Sequence, residues 1–200
     1  MGIKQGSTLL VLAFGLIGCA GESAPSRFYL LTSPPDLKLE KQAVPAKGEL
    51  RLGIGPISLP SHLKRPQIVV RGQRRRVEIS EFDRWAEPLD ENFTQVLAEN
   101  LSALLSSNQI ATFPWNRSIP VDYQVTVQVL RFDNDTAGNS RLTALWRVFG
   151  DGGKKFLFSR KSAFSSRFSS NSFEARVAAL NSNLVELSRE IAIGISTFSK

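Results

Sequence analysis

The stretch VDYQVTVQV, residues 121–129, decides the architecture. Val121, Tyr123, Val125, Val127 and Val129 alternate with Asp122, Gln124, Thr126 and Gln128, a period of two that gives a strand one apolar and one polar face. The valines favour the same conformation, because a branched Cβ is stiff and suits a pleated surface. Moving outward toward the C-terminus, NDTAGN (134–139) breaks the pattern, and Leu142, Ala144, Trp146 and Val148 restore it. Asp151-Gly152-Gly153 supplies a hairpin turn, after which 155–164 returns. Three strands joined by short turns predict an antiparallel meander with one packed face and one wetter face.

The packed face needs a cover. Phe173, Val177, Leu180, Leu184, Leu187, Ile191 and Ile195 form a helical stripe over 172–198, with Asn171 as cap and Glu174 answering it. A second helix starts near Pro88, a residue suited to the first helical position. Asp90 and Glu91 complement its dipole, and Leu89, Phe93, Leu97, Leu101 and Leu104 share one face. Upstream, FYLLT (28–32) reads as a first strand and the proline-rich, charged 33–49 as a loop. LRLGIGPISL (50–59) is a strand, with Leu50, Leu52 and Ile54 on one face and Pro56 confining it to an edge or a bulge. Residues 68–71 and 76–80 pair as a hairpin about Gly72-Gln73, and 111–115 is a short extended piece. The fold class is α/β in the mixed α+β sense: one domain over 27–200, a mixed, largely antiparallel sheet packed against two main helices.

LLVLAFGLIGCAG (9–21) holds the only cysteine, Cys19. The apolar run is shorter than the roughly 20 residues needed to span a bilayer, and it follows a basic start at Lys4, so 1–18 reads as a signal peptide. Leu16-Ile17-Gly18-Cys19 resembles the bacterial lipobox, in which the thiol after a small residue receives a diacylglyceryl group. Ala20, where an aspartate would signal inner-membrane retention, implies by the same resemblance the outer membrane facing the periplasm. Residues 19–26 then form a lipidated tether. The net charge is +7, and Lys4 is the only charged side chain ahead of Cys19. The exported domain is therefore basic, and an acidic lipid surface suits it better than nucleic acid.

Residues that could carry chemistry are few. His62 is the only histidine, and Gly53 and Gly55 lack the third glycine and following helix of a phosphate loop. Asp83, Glu87, Asp90 and Glu91 cluster in sequence, and read as a solvated helix start in preference to paired catalytic carboxylates. SSRFSSNS (165–172) reads as a polar connector rather than a nucleophile elbow. In RGQRRR, Arg71, Arg74, Arg75 and Arg76 belong to a solvated hairpin whose alternation splits them between faces; contact with an acidic partner or lipid headgroup is the second reading. Trp146 belongs to the core, and Trp85 either covers the core or anchors a partner.

Two segments are more specific. LPSHLKRPQIVVR (59–71), followed by RWAEPL (84–89), resembles the PqiC-like family, the ABC-type transport auxiliary lipoproteins. The matching positions are Pro60, Leu63, Arg65, Pro66, Gln67, Ile68, Val69, Arg71, Trp85, Ala86, Glu87, Pro88 and Leu89; FYLL (28–31) and ALNSNLVELSREIA (179–192) agree as well. His62 stands where a tyrosine is usual. The resemblance implies a non-enzymatic outer-membrane lipoprotein without cofactor or metal. Its partner would be an MCE-domain inner-membrane protein that forms a periplasmic lipid conduit, and it would itself form a ring-like homo-oligomer. Arg65 and Trp85 would either fix a bent loop or touch the partner, and Arg75 is a further candidate contact. Two alternatives are a lipid carrier with its own apolar cavity and a hydrolase built on the carboxylates between Asp83 and Glu91.

Overall fold

The computed structural model describes residues 24–38, 50–116 and 118–198. The signal segment, Cys19, most of the tether and much of the 33–49 loop lie outside these residues. The expected meander is β6 (Tyr123–Asp135), β7 (Asn139–Gly150) and β8 (Lys155–Arg167). All three run antiparallel, with Val125 opposite Val148, Val127 opposite Trp146 and Val129 opposite Ala144. These side chains are all buried. Leu130 is exposed in phase with the alternation, and a bulge between Val129 and Arg131 then shifts the phase so that Phe132 turns inward. The alternation read from 121–129 therefore does not extend to the end of the strand.

The other edge of β6 is shared by two strands in series. β2 (Leu52–Ser58) runs parallel to its first half, and β3 (Gln67–Arg71) parallel to its end, through Val70–Asn134 and Arg71–Asp135. β5 (Ile110–Thr112) flanks β2, while β4 (Val77–Trp85) pairs antiparallel with β3 and carries β1 (Arg27–Tyr29) in parallel on its far side. The result is one eight-stranded mixed sheet. β2 thus lies between β5 and β6 over Leu52–Ile54, and Pro56 falls beyond the β5 pairing, in the register shift between Ile54 and Ile57. Its glycines face a folded-back segment: a Cβ at Gly53 would stand 2.7 Å from the Trp115 ring, and one at Gly55 2.7 Å from Phe113 Cβ.

Helices α1 (Leu89–Leu105) and α2 (Phe173–Ser196) cover the packed face. Val177, Leu180, Leu184, Leu187, Ile191 and Ile195 are buried along α2, as are Leu89, Phe93, Leu97, Leu101 and Leu104 along α1. Phe93 meets Phe132 edge-on at 5.3 Å, and Asn100 Nδ2 donates to Ser188 Oγ at 3.0 Å between the helices. The α2 cap is Ser172, whose Oγ accepts from Ala175 N at 3.2 Å, and not Asn171. The first strand is shorter than FYLLT: beyond Tyr29 the chain leaves the sheet, and Asn92 holds Leu31 by both backbone groups at 2.7 and 3.2 Å.

At Gly194, α2 passes close against the sheet. A Cβ there would stand 2.7 Å from the Trp146 ring, which is fully buried and fixed by an Nε1–H bond to Ser162 Oγ at 3.0 Å. The ring has no room to move aside. Gly194→Val is expected to cost about 1–3 kcal/mol by overpacking, a loss of several degrees in Tm readable by thermal denaturation. An unchanged Tm would show that the helix and ring can separate freely.

Candidate functional site

The detour at 59–66, between the two strands that share one edge of β6, builds one side of the site. Pro60 opens a single 3-10 turn, closed by Leu63 N–H to Pro60 O at 2.9 Å, and the turn drives Leu63 into the core. His62 stays exposed on the turn. The second segment arrives along β4, where Trp85 N–H donates to Pro66 O at 2.6 Å and Gln67 lies in register with Arg84. Ala86 N–H bonds Tyr29 O at 2.9 Å, and Pro88 O accepts the first amides of α1 from Glu91 and Asn92.

The two sequence motifs thereby enclose a surface pocket of about 370 Å³. Trp85 and Leu89, both buried, form its floor, with Pro66 and Pro88 as apolar walls. Its rim is charged. Lys64 Nζ reaches Asp90 Oδ2 at 3.5 Å, while Arg65 and Glu87 make no ion pair among the described residues. Arg65, Pro66, Trp85, Glu87 and Pro88 therefore line one pocket, whereas Pro60, Leu63 and Gln67 are not among its lining residues. Neither are Arg71 and Arg75. Arg71 is bound to the buried Asp133 through Nε and Nη2 at 3.0 and 2.8 Å, and Arg75 stands at the far end of the β3–β4 hairpin.

The carboxylates between Asp83 and Glu91 have separate duties. Asp83 is buried and accepts from Arg27 Nε (2.8 Å) and Nη2 (3.1 Å), Tyr29 OH (3.0 Å) and Ser80 Oγ (2.8 Å). Burial raises its pKa, but the bonds from Arg27, Ser80 and Tyr29 outweigh burial and hold the carboxyl below its ordinary value. Burial, helped by the bonds to Asp83 and Glu174, pushes the Tyr29 phenol up to about 12. A carboxylate held ionised by so many donors suits a clasp for β1 better than proton transfer. This hub was not apparent in the sequence, because its members come from 27–29 and 80–83.

The clasp makes a pH prediction. Asp83 has a folded pKa below its unfolded value near 3.9, so its contribution is complete above that value and is lost as pH falls through the folded pKa. Tyr29 has a raised pKa, so its contribution is complete below pH 10 and is lost as pH rises toward about 12. The Tm gap between the natural chain and Asp83→Asn is expected to be constant across neutral pH and to close below about pH 4. A gap that persists in strong acid would contradict this assignment.

A mixed sheet with both helices on one face thus carries a surface pocket formed where two loop motifs meet. The chain belongs to the family of ABC-type transport auxiliary lipoprotein components, whose model matches residues 29–192. It is thus a lipoprotein-class accessory of a transporter. The fold agrees with the crystal structure of an uncharacterized protein (TM-score 0.69, 18% identity, covering 86% of this chain and 99% of that one). It also agrees with that of a Xanthomonas campestris protein (TM-score 0.70, 17% identity, 86% and 96%). No curated protein matches the chain.

Proposed function

We propose that the protein is a non-enzymatic lipoprotein anchored through Cys19 at the periplasmic face of the outer membrane. There it docks the end of an MCE-type lipid conduit rooted in the inner membrane and works as a ring of identical copies. The observation that carries this reading is the meeting of Arg65-Pro66 and WAEPL (85–89) in one pocket with an apolar floor and, among the described residues, unpaired rim charges at Arg65 and Glu87. Its buried members set the shape of the loops, and its rim is left to meet a neighbour. A lipid carrier is the weaker reading. The space between sheet and helices is filled by Phe93, Phe132, Trp146 and the leucines of α1 and α2, so an acyl chain inside one subunit would have to displace core.

Photoreactive residues placed at Arg65 and Ala86, both exposed on the pocket, test this in cells. Trp85 is unsuitable because a probe there would disturb the core. Capture of an MCE-domain protein is the expected result. Capture of copies of the same chain alone would assign the pocket to the ring, and no capture at full expression would remove the pocket from any interface.

A further inference from the structure

The β3–β4 hairpin ends in Gln73-Arg74-Arg75-Arg76, closed by Arg76 N–H to Gln73 O at 3.2 Å and Gly72 N–H to Arg76 O at 3.0 Å. Its central residues have φ of +52° and +66°, the left-handed values that Asn-Gly adopts readily and that cost side chains with a Cβ. Two arginines occupy them. Arg74, Arg75 and Arg76 are exposed and make no ion pair among the described residues. They do not alternate between strand faces, because the turn itself carries Arg74 and Arg75. Val77 and Ile79, on one face of the strand behind them, are 45% and 48% exposed. The adjoining β6–β7 turn, tied in by Thr136 N–H to Arg71 O at 3.2 Å, has the exposed Arg141 and Arg167 beside it. Of the exposed acids of the hairpin, Glu78 places its carboxylate over Gly72 at the base of the turn, and Glu81 lies farther back along β4, so the three turn arginines leave a net positive tip.

The chain enters the domain from the same pole. β1 runs parallel to β4 with Arg27 opposite Asp83, so the residues before Arg27 head toward Val77 and the arginine turn. α2 gives the same direction independently: Lys38 O is held by Arg189, Thr32 by Asn181, and Tyr29 by Glu174 near the helix start. Followed backward, the chain leaves past the N-terminal end of α2. Lengths then matter. From Asp83 to Val77 is about 20 Å of strand, and the eight residues from Cys19 to Arg27 reach at most about 29 Å. With Cys19 in a membrane, the arginine turn is brought to roughly one Debye length, about 8 Å, of the headgroups even on a fully extended tether.

Resting on the Cys19 anchor proposed above, we infer that the arginine turn, backed by Val77 and Ile79, is a second membrane contact that binds acidic phospholipid headgroups. It sets the orientation of the anchored domain, with the β7–β8 turn pointing away from the bilayer. The contact accounts for two arginines at positions where their backbone is strained and their charge unpaired.

The test uses the acylated mature protein in vesicles of phosphatidylethanolamine with or without phosphatidylglycerol. An environment-sensitive fluorophore is placed on Gln73→Cys at the turn or on Lys154→Cys at the opposite pole, and mass spectrometry of the same sample reads the acylation of Cys19. The label at 73 is expected to be quenched by headgroup-bound quencher only when phosphatidylglycerol is present, and the label at 154 not at all. Arg74→Asn/Arg75→Gly/Arg76→Gln should lower the docked-to-free ratio about fivefold per arginine, on the order of a hundredfold in all. The triple lysine variant should keep most of it. Asparagine and glycine suit positive φ, so Tm is expected to hold or rise, which separates loss of docking from loss of fold. A label at 73 that stays in water on acylated protein overturns the inference alone, as does quenching indifferent to phosphatidylglycerol or capture of the turn by a protein instead of lipid. An unacylated Cys19 overturns the anchor and the geometric argument together.

Discussion

Cys19→Ala is expected to abolish incorporation of a palmitate analogue and to empty the outer-membrane fraction of the protein. The thiol is the only group in the sequence that can take a thioether-linked diacylglyceryl unit there, since the chain has one cysteine. Each buried methylene contributes about 0.8 kcal/mol, so a single chain holds a protein only marginally and a multiply acylated terminus holds it firmly. Removing the thiol removes all of the chains at once. The domain itself should be untouched, because β1 begins eight residues later at Arg27 and the described end of the tether, 24–26, is exposed. The informative comparison is therefore between fractions: an unacylated variant with native circular dichroism, absent from the outer membrane. If the variant stayed in the outer membrane without a lipid adduct, the anchor would have to lie elsewhere and the orientation drawn for the arginine turn would lose its basis.

How much of this was legible in the sequence depends on the range of the interactions concerned. The meander and the α2 stripe were legible because period 2 and period 3.6 are local consequences of which face meets the core, and Val125 to Val129 and Val177 to Ile195 obey them. The phase shift at Leu130 was not, because a bulge is selected by the partner strand and leaves no mark in the alternation before it. For Pro56 the sequence allows an edge or a bulge, and the register shift against β6 between Ile54 and Ile57, past the end of the β5 pairing, shows the bulge. The cap moved by one residue, from Asn171 to Ser172, since either side chain can accept an amide and the first helical φ decides between them. Glu87 and Arg65 were picked out as motif members, but their meeting required the detour at 59–66 and the end of β4 to be folded together. The same holds for Asp83, whose partners Arg27 and Tyr29 are more than fifty positions away. The glycine points to a turn about Gly72-Gln73, but the chain turns two residues later, and that small shift carries Arg74 and Arg75 from strand faces to an exposed tip.

Trp85→Ala is the second large effect, and it separates the two roles open to the WAEPL segment. Trp85 is 6% exposed, forms the pocket floor and donates its backbone amide to Pro66. Truncating a buried tryptophan costs about 3–5 kcal/mol through lost transfer energy and the cavity left behind. For a domain of this size that lowers Tm by roughly 10 °C or more. Arg65→Glu reverses a charge that is exposed and has no ion pair among the described residues, so its effect on Tm should stay within about 0.5 kcal/mol equivalent. Only docking should respond to it. If Arg65→Glu leaves Tm alone and abolishes capture of the partner at Ala86, the rim is the contact and Trp85 is its support. If Trp85→Ala melts like the natural chain, the pocket floor is not part of the core and the tryptophan is free to serve as the anchor itself. If Arg65→Glu melts early, the loop at 59–66 depends on that guanidinium, and the motif is then an element of the fold before it is a surface for a partner.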